Sequence, residues 1–551
     1  MIRLTILLLF ILSSLPAAQV LTGSETITFD STKTGNTGIR LLKLVNTGGS
    51  PFTGTVRTLN NIIFRSADSV INIPARDSIY LQLSFFPVTN IKYRSTLLIY
   101  NADTSVVLAA TLSGAGYFGD SYDATTYDKY DASLKTALTA LVNNHTSLGY
   151  NTARDRMFET IDDYGGDTIE CVYTGIKIYA TTRTQAQNQG FDTEHTWPQG
   201  TFGQAEPMRS DLFHIYPTNS SANNTRGNYP FGYVLTGVTW TQGGSKLGKD
   251  KYNQTVFEPR DIHKGNVARS MLYFILRYTN NYGSYLDTVQ ENVFREWNRF
   301  DVVESRETRR NNLIAQNQGK RNPLIDHPDF VDRIYSFTTS ASRPLITKTQ
   351  YIPSHVSFDT VGVNDSTKAK IYILNTGTSE IRIDSVSFSD VVRGEFSNAI
   401  LKAGESRPVN LVFRSTAAGG FSGTVKVYTS AGVFNVPYAA YASPSLLAEE
   451  RKTTENSFRL ETYPNPFTGK AVIRYSIPAE VYAGTRSSAA GMVTVKIYDL
   501  LGKEVTKLVN EEKLPGEYEI NFYPEAAVSG MYICELKYAG MRAVKKMISL
   551  K

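Results

Sequence analysis

Hydrophobic and polar residues alternate over short stretches in two well-separated parts of the chain. The segments IRLLKLVNTGG, SIYLQLSFFP, KAKIYILNTG and RPVNLVFRS carry the alternation and are bounded by Gly, Asn, Asp and Pro. A period of two places apolar side chains on one face of a strand, and several such short strands are typical of an antiparallel β-sandwich. The pattern predicts two β-sandwich domains, at residues 20–116 and 349–443.

The two predicted sandwiches repeat each other in sequence. Phe29-Asp30 precedes Asn46-Thr47-Gly48, and Phe358-Asp359 precedes Asn375-Thr376-Gly377, with 17 residues from Phe to Asn in both cases. The pair resembles the immunoglobulin-like modules that are often attached to secreted bacterial enzymes. Such modules act as spacers or as adhesive domains. Because neither copy contains a convergent cluster of polar residues, we favour the spacer interpretation.

Between the sandwiches the periodicity changes. The apolar residues of GNVARSMLYFILRY (265–278) recur at helical spacing, which predicts a buried helix, whereas TIECVYTG (168–175) and the residues before Glu194 are predicted as strand and loop. The segment SSANNTRGN (220–228) predicts the start of another helix, with Thr218, Asn219 or Ser220 as its N-cap. We therefore expect a mixed α+β domain over residues 117–340.

The first residues have the pattern of a secretory signal peptide, which we assign to residues 1–18. Arg3 supplies a positive charge, an apolar run extends from Leu4 to Leu12, and Ala17 and Ala18 are small. A membrane anchor is the alternative, but the apolar run is shorter than the ~20 residues of a spanning helix. The chain has only two cysteines, Cys171 and Cys534, which fall in different predicted domains, so a disulfide framework is not expected.

The end of the chain is again rich in predicted strands. A polar, charged stretch predicts a linker at 444–458, and residues 459–551 alternate apolar and polar positions and end with Lys545, Lys546 and Lys551. Tyr463-Pro464-Asn465-Pro466 at the opening and the Lys-rich tail resemble the C-terminal sorting domain of type IX secretion cargo. The resemblance implies recognition by the type IX machinery and passage through the outer membrane. An ordinary third β-sandwich is the alternative.

Length and charge limit the possible function only broadly. A chain of 551 residues exceeds what one core supports, so three to four domains are expected at roughly 100–200 residues each. The net charge of +6 is only mildly basic and does not by itself indicate a nucleic-acid partner. The segment from Lys246 to Arg321, however, contains 14 Lys and Arg but only 9 Asp and Glu. A basic surface of this kind suits phosphate contacts, although a solvated helix face would look the same. The candidate contacts are Arg306, Arg309, Arg310, Lys320 and Arg321.

Residues 191–232 concentrate side chains that support phosphodiester hydrolysis. Glu194 and Asn223 offer the oxygen ligands that suit Mg2+. His195, next to the first ligand, can accept a proton from water when its imidazole is neutral. Arg209 and Arg226 carry planar donors that fit phosphate oxygens. A metal, a base and a phosphate clamp together predict a hydrolase site.

These residues resemble the endonuclease I family of secreted bacterial nucleases. The family pattern is matched by Glu194, His195, Trp197, Pro198, Ser210, Asp211, Leu212, His214, Pro217, Thr218, Asn223, Arg226, Gly227 and Asn228. The resemblance covers residues 117–340 and implies a ββα-metal, or His-Me finger, fold. The chain departs from the family in two ways: it has Phe213 where many members have a second His, and it lacks the Cys pairs of the disulfide-rich members.

The resemblance also implies a role for each matched residue. His195 would be the general base, and Glu194 with Asn223 would hold Mg2+, or alternatively Ca2+ or Mn2+, while the product would carry a 5′ phosphate. Arg226 or Arg209 would contact a phosphate. Asp211 and His214 would support the site or contact phosphate, although Asp211 could equally cap a helix, and Asn228 could simply close a turn with Gly227. The remaining matched or isolated candidates are interpreted as structural: Trp197, Tyr216, His145, His263, His327 and His355.

The expected protein is multidomain, with an α+β His-Me finger nuclease domain flanked by immunoglobulin-like β-sandwich domains and followed by a C-terminal β-sandwich sorting domain. Its expected activity is Mg2+-dependent, non-specific cleavage of DNA and RNA by a secreted or surface-located monomer. One alternative is a surface adhesion protein that binds nucleic acid without cutting it. Another is a phosphodiesterase for a smaller substrate. Sequence-specific binding is not expected, because the sequence contains no zinc finger, RNA-recognition or helix-turn-helix pattern.

Overall fold

The computed structural model describes most of the chain between Leu21 and Leu550. The described residues are 21–102, 106–278, 285–443, 458–463, 465, 467–477, 480–482, 485–487, 491–499, 503–524, 530–538 and 541–550. The predicted signal peptide, nearly all of the predicted linker, Pro464, Pro466 and Lys551 lie outside the described residues. Within the described ranges, no helix combines the length and the apolar character needed to cross a membrane.

The N-terminal strands form two sheets around one hydrophobic core. The sheet orders are β1-β4-β8-β6 and β2-β10-β9-β5-β7, with the short β2 and β3 running parallel to β10. Alternation places residues such as Phe52 and Val56 of β5 in the core and their neighbours in solvent, because successive side chains of a strand point to opposite faces. The strands are β1 (Leu21–Thr22), β2 (Thr26–Thr28), β3 (Thr32–Lys33), β4 (Gly38–Asn46), β5 (Phe52–Thr58), β6 (Phe64–Ser66), β7 (Val70–Ile73), β8 (Ser78–Phe85), β9 (Lys92–Asn101) and β10 (Val106–Tyr117).

The middle part of the chain is mixed α+β and contains the largest hydrophobic core. Its helices are α1 (Asp123–Thr126), α2 (Asp131–Val142), α3 (Tyr150–Arg156), α4 (Arg183–Asn188), α5 (Ser220–Arg226), α6 (Lys264–Arg277), α7 (Thr288–Phe300), α8 (Ser305–Gln318), α9 (Pro323–Asp326) and α10 (Phe330–Arg333). Its strands are β11 (Thr168–Glu170), β12 (Lys177–Tyr179), β13 (Phe191–His195), β14 (Ile215–Asn219), β15 (Thr236–Gln242), β16 (Ser245–Lys249) and β17 (Thr255–Glu258). Nearly all of α6 is buried, so the buried helix predicted from its apolar spacing is confirmed.

A second pair of sheets follows and repeats the topology of the first. The orders β18-β21-β25-β23 and β19-β27-β26-β22-β24 match the first pair strand for strand. The sequence repeat is therefore a repeat of fold, while the immunoglobulin-like class and the exact domain boundaries stay predictions. The strands are β18 (Thr349–Ile352), β19 (Val356–Ser357), β20 (Val361–Gly362), β21 (Ser366–Asn375), β22 (Ile381–Ser387), β23 (Val392–Arg393), β24 (Ala399–Leu401), β25 (Ser406–Arg414), β26 (Gly419–Thr429) and β27 (Gly432–Ser443).

The repeated Asn-Thr-Gly sequence has a structural role in both copies. Asn46 and Asn375 are buried, and each donates from its side-chain amide to the carbonyl of the serine four residues on, Ser50 at 2.8 Å and Ser379 at 2.7 Å. Each side-chain oxygen accepts the N–H of the glycine two residues on, at 3.0 Å. A buried amide is stable only when such bonds are made, so the repeat marks the turn after β4 and after β21.

The C-terminal strands also form two facing sheets, β28-β30-β35 and β29-β37-β36-β33-β34, with a separate β31-β32 pair. Residues such as Ile473, Val495 and Leu536 fill the core between them. The strands are β28 (Arg459–Tyr463), β29 (Phe467–Thr468), β30 (Ala471–Ile477), β31 (Glu480–Tyr482), β32 (Thr485–Ser487), β33 (Gly491–Tyr498), β34 (Glu504–Lys513), β35 (Gly516–Phe522), β36 (Gly530–Tyr538) and β37 (Met541–Leu550).

Candidate active site

One hairpin and the helix after it bring the central candidate residues together. Strands β13 and β14 pair antiparallel, with Glu194 opposite Tyr216, and α5 begins directly after β14. Of the three predicted N-caps, Asn219 is the one observed, and its side chain accepts the N–H of Ser221 at 3.0 Å. Asn223 on α5 donates to Thr193 O of β13 at 3.4 Å. The local fold thus places Glu194 and His195 on the strand against which the Asn223 helix rests.

Glu194 is a buried carboxylate with two described partners. Tyr173 donates its hydroxyl to Glu194 Oε1 at 2.7 Å, and Arg226 Nε lies 3.4 Å from the same oxygen. Burial raises the pKa of Glu194, while Arg226 and Tyr173 act in the opposite direction. A nearby cation would favour the ionised form further. One carboxylate and the amide of Asn223 fit a Mg2+ ion that keeps several waters.

His195 follows Glu194 and therefore projects from the opposite face of β13. Its Nε2 lies 3.1 Å from Arg209 O, and its ring centroid is 5.6 Å from that of Tyr150 and 5.5 Å from that of His214. Because a carbonyl oxygen only accepts, Nε2 carries the ring proton and Nδ1 keeps a lone pair. Burial, followed by the effect of His214, lowers the pKa of His195 to about 3. The imidazole is therefore neutral at neutral pH and has one nitrogen able to accept a proton.

Arg226 is enclosed. It is 1% exposed, donates to Thr196 O at 2.6 Å and His195 O at 3.3 Å, and lies over the Phe231 ring with its Cζ 4.6 Å from the ring centroid. Because these contacts and Glu194 surround the guanidinium, a phosphate could reach it only if part of this packing opened. The structure therefore favours a positioning role for Arg226 over the predicted phosphate contact.

Arg209 is better placed for a phosphate. It is half-buried, and its Cζ lies 4.0 Å from the Tyr150 ring centroid. Its Nε is buried and, among the described residues, has no hydrogen-bond partner. Its backbone carbonyl already accepts from His195, so Arg209 lies beside the candidate base.

Asp211 does not contact His195. It is fully buried and accepts the hydroxyls of Tyr273 at 3.1 Å and Tyr278 at 2.8 Å and the side-chain amide of Gln318 at 3.2 Å. These bonds tie the loop before β14 to α6 and α8. Asp211 consequently supports the site through the fold.

His214 is buried in the protein, whereas Asn228 lies at its surface. His214 is buried, its Nε2 lies 2.5 Å from Met208 O, and burial lowers its pKa. Asn228 is exposed and lies in the turn that Tyr229 N closes on Arg226 O at 3.1 Å. Gly227 in this turn has a φ of 52°, which glycine adopts without strain. His214 is therefore packed beside the candidate base. Asn228 lies in a turn next to Gly227, and its contact with phosphate stays a prediction.

The predicted basic contacts are mostly engaged within the protein. Arg310 is buried, pairs with Asp162 at 2.8 Å and donates to Ile215 O at 2.7 Å, so the prediction that it contacts phosphate is wrong. Arg321 pairs with Asp326 at 2.6 Å and Arg309 donates to a backbone carbonyl. Residue type alone does not reveal such pairing. Arg306 and Lys320 remain partly exposed.

Two tyrosines that the sequence did not single out border the site. Tyr173, 21 residues before Glu194, holds the carboxylate, and Tyr150 at the start of α3 lies between Arg209 and His195. The only sequence signal for Tyr173 was its place in a strand-like segment near the motif. Within the described residues no group of three or more His, Cys, Asp or Glu converges.

Comparison with known sequences finds two matched families and several similar proteins. Residues 131–329 match the family described as Endonuclease I, and residues 461–550 match the secretion system C-terminal sorting domain. An extracellular ribonuclease of Bacillus amyloliquefaciens is 31% identical over 233 residues, which is 38% of this chain and 75% of that protein. An extracellular ribonuclease of Bacillus subtilis (strain 168) is 29% identical over 273 residues, 45% of this chain and 90% of that protein. An extracellular deoxyribonuclease of Aeromonas hydrophila is 29% identical over 119 residues, 22% of this chain and 50% of that protein.

Proposed function

The chain belongs to the endonuclease I family, and on that premise we propose that it is a secreted, metal-dependent endonuclease that hydrolyses phosphodiester bonds of DNA and RNA. The observation that carries the proposal is the placement of Glu194, His195 and Asn223 on one hairpin and its following helix. This arrangement supports the ββα-metal, or His-Me finger, assignment. The names of the similar ribonucleases and deoxyribonuclease support activity on both nucleic acids.

His195 would act as general base. Its Nδ1 takes a proton from a water whose oxygen attacks the scissile phosphorus, and the bond to the 3′ oxygen breaks, leaving a 5′ phosphate. The carbonyl of Arg209 fixes the ring orientation, and the Arg209 guanidinium binds a phosphate oxygen beside the base. Mg2+, with Ca2+ or Mn2+ as alternatives, would be held by Glu194 and Asn223 and would stabilise charge on the phosphate and on the leaving oxygen.

The location of the protein follows from its C-terminal domain. The sorting domain places it on the route to the cell surface or the medium. We infer that the type IX secretion machinery is its export partner, that the mature protein is a monomer, and that the two sandwiches are spacers holding the catalytic domain away from the cell.

The test of the proposed function is cleavage of supercoiled plasmid and of RNA by the mature protein with Mg2+, Mn2+ or Ca2+, beside an EDTA control. We expect His195→Ala to lower the rate by about 10²–10⁴-fold, the usual contribution of a general base. The matched control is His355→Ala, which removes an exposed histidine of the second sandwich and should leave the rate unchanged. Nucleic acid that is retarded in the gel but intact under every condition would instead identify a binding protein. Cleavage of small phosphodiesters, with DNA and RNA left intact, would instead identify a phosphodiesterase for a smaller substrate.

A further inference from the structure

Two arginines lie over one tyrosine ring beside the candidate base. Arg209 Cζ is 4.0 Å and Arg154 Cζ is 4.6 Å from the centroid of the Tyr150 ring, so the two guanidinium carbons are at most 8.6 Å apart, the sum of these distances. The Tyr150 ring is in turn 5.6 Å from the ring of His195, centroid to centroid. The four side chains therefore form one contiguous group that includes the candidate base.

The position of the first arginine follows from the helix that carries it. Tyr150 and Arg154 are four residues apart on α3, so their side chains are neighbours on one face of the helix. Arg183 contacts the adjacent face, at Asn151 Oδ1 over 3.0 Å and at Asp155 Oδ1 over 3.1 Å. These contacts hold α3 in place and occupy the nearest carboxylate on the helix, that of Asp155.

A hydrogen-bonded loop brings the second arginine to the same helix. Ser147 before α3 and Ser210 after Arg209 share a hydrogen bond of 2.9 Å, and Ser210 also donates to Glu206 at 2.5 Å. The backbone N–H of Arg209 donates to Ala205 O at 3.0 Å. Glu206 thus binds serine hydroxyls and, among the described residues, forms no ion pair with Arg209.

Neither arginine has a carboxylate partner in the described part of the chain. Both side chains are half-buried, and the Nε of each is buried without a hydrogen-bond partner among the described residues. Their Nη nitrogens are also unpaired there but keep contact with solvent, so they can still donate to a ligand. By contrast, Arg260 of the same domain pairs with Glu170 at 2.7 Å. Arg154 and Arg209 therefore carry positive charge that the surrounding protein does not balance.

This arrangement suits a phosphate. Two unbalanced cations held close together repel each other, and an anion between them removes the repulsion. Guanidinium groups present planar donors that match phosphate oxygens, often two at a time. The Tyr150 ring holds each guanidinium by a cation–π contact, which fixes its position without placing a carboxylate on its donors. The two arginines and the ring between them thus have the properties of a phosphate clamp.

We propose that Arg154 and Arg209, positioned by Tyr150, clamp one phosphate of the nucleic-acid substrate, the scissile one, beside His195. The proposal adds Arg154 to the residues that bind substrate, and it rests on the proposed nuclease function for its choice of anion. Because the clamp contacts the backbone of the strand, it carries no preference for base sequence.

The test measures binding in a protein that cannot cut. His195→Ala protein in EDTA is titrated with a fluorescent single-stranded DNA oligonucleotide at several salt concentrations. We expect Arg154→Gln in this background to weaken binding about tenfold, because a hydrogen bond between charged groups is lost. The double variant Arg154→Gln/Arg209→Gln should lower the slope of log affinity against log salt by about 0.7, the value for one phosphate of a single strand, rather than by about 1.4 for two.

The same helix supplies a matched control. Arg156 is exposed, ends α3 and lies two residues beyond Arg154, so it is on another face of the helix. Arg156→Gln removes the same charge and should leave the affinity unchanged. With His195 restored and Mg2+ present, Arg154→Gln should lower kcat/KM for plasmid cleavage about tenfold, whereas Arg156→Gln should not.

The outcomes separate the clamp from the nuclease activity. Unchanged affinity in Arg154→Gln, equal losses in Arg154→Gln and Arg156→Gln, or no binding by the parent overturns the clamp. A lower melting temperature with unchanged affinity would instead mean that Arg154 only stabilises α3 through Tyr150. A slope change near 1.4 in the double variant contradicts the sharing of one phosphate. A wild-type protein that cuts nothing overturns the proposed function, while the binding comparison still decides the clamp.

Discussion

The hydroxyl of Tyr173 restricts how the Glu194 carboxylate can turn. It donates to Oε1 at 2.7 Å in a fully buried setting, and Arg226 approaches the same oxygen. Groups that orient a metal ligand commonly change metal affinity or activity by about 10–100-fold when removed. We therefore expect Tyr173→Phe to raise the Mg2+ concentration for half-maximal cleavage about tenfold, with a smaller change in rate at saturating Mg2+. A Mg2+ titration of plasmid cleavage measures this.

The chain supplies a matched control for that substitution. Tyr179 also donates its hydroxyl to a carboxylate, Asp167 at 2.9 Å, but it is exposed. Tyr179→Phe should leave the Mg2+ response unchanged. If Tyr173→Phe leaves it unchanged as well, Tyr173 does not position the ligand.

A buried histidine away from the candidate metal ligands predicts acid sensitivity. Burial lowers the pKa of His263 to about 3. An unfolded histidine titrates near 6.5, so the unfolded chain binds more protons between these values, and stability that is complete above about pH 6.5 is lost as the pH falls towards 3. The loss is about 1.4 kcal/mol per pH unit, or about 2 kcal/mol at pH 5. His263→Gln should therefore show a smaller drop in melting temperature between neutral pH and about pH 5 than the wild type, while exposed His355→Gln should match the wild type. An equal drop in all three proteins would contradict the assignment.

At the scale of elements, Arg310 joins helix α8 to Asp162 before β11 by a buried ion pair and to the catalytic hairpin by a hydrogen bond. Arg310 on α8 contacts Asp162 at 2.8 Å and donates to Ile215 O of β14 at 2.7 Å. Removing one partner of a buried pair leaves an uncompensated charge and costs about 3–5 kcal/mol. Arg310→Leu should therefore lower the free energy of unfolding by that amount, measured by denaturant unfolding. Arg306→Leu, one turn earlier and partly exposed, should cost less than about 1 kcal/mol. Similar effects of the two substitutions would contradict the structural role of Arg310.

Distance along the chain decides which residues of the site the sequence can predict. Glu194, His195 and Asn223 lie within 30 residues of one another, so local pattern and family spacing identify them and the elements that carry them. Tyr173 reaches its place through tertiary packing, which no local period encodes. Arg226 and Arg310 are of a residue type that often contacts phosphate at a surface. Only the fold shows that carboxylates and carbonyls surround them.

The fold shows the same division between local and long-range information. Strand alternation and the Asn-Thr-Gly repeat predict two similar β-sheet modules, because a one-sided core requires a period of two. Neither pattern predicts that the modules touch each other across more than 200 intervening residues. That contact depends on which side chains occupy the outer faces of β9, β10 and β21, where apolar residues at single positions carry no periodic signal.

Across the whole molecule, the two sandwiches pack against each other although the catalytic domain lies between them in sequence. Leu98 and Ala109 of the first sandwich form a separate buried cluster with Tyr372 and Leu374 of the second. Thr111 Oγ1 donates to Ser406 O at 3.1 Å beside this cluster. In the residues between β8 and β9 of the first sandwich, Asn90 Oδ1 accepts from Arg333 of α10 at 2.6 Å. The catalytic domain is thus held by the first sandwich, and the second sandwich is held by the first.

This arrangement predicts how the chain behaves when it is cut. Residues 341–347 are exposed and connect the catalytic domain to the second sandwich. After cleavage at a specific protease site introduced there, the two fragments of the wild type should co-elute in gel filtration, because the buried cluster still joins them. Leu374→Asp places a charge in that cluster and should separate the fragments. Ile400→Asp, at a position of the second sandwich that is 62% exposed, is the control and should leave them together. Separation of the wild-type fragments would mean that the sandwiches are joined only by the chain. Nuclease activity retained in the N-terminal fragment would then show that the catalytic domain depends on neither the second sandwich nor the sorting domain.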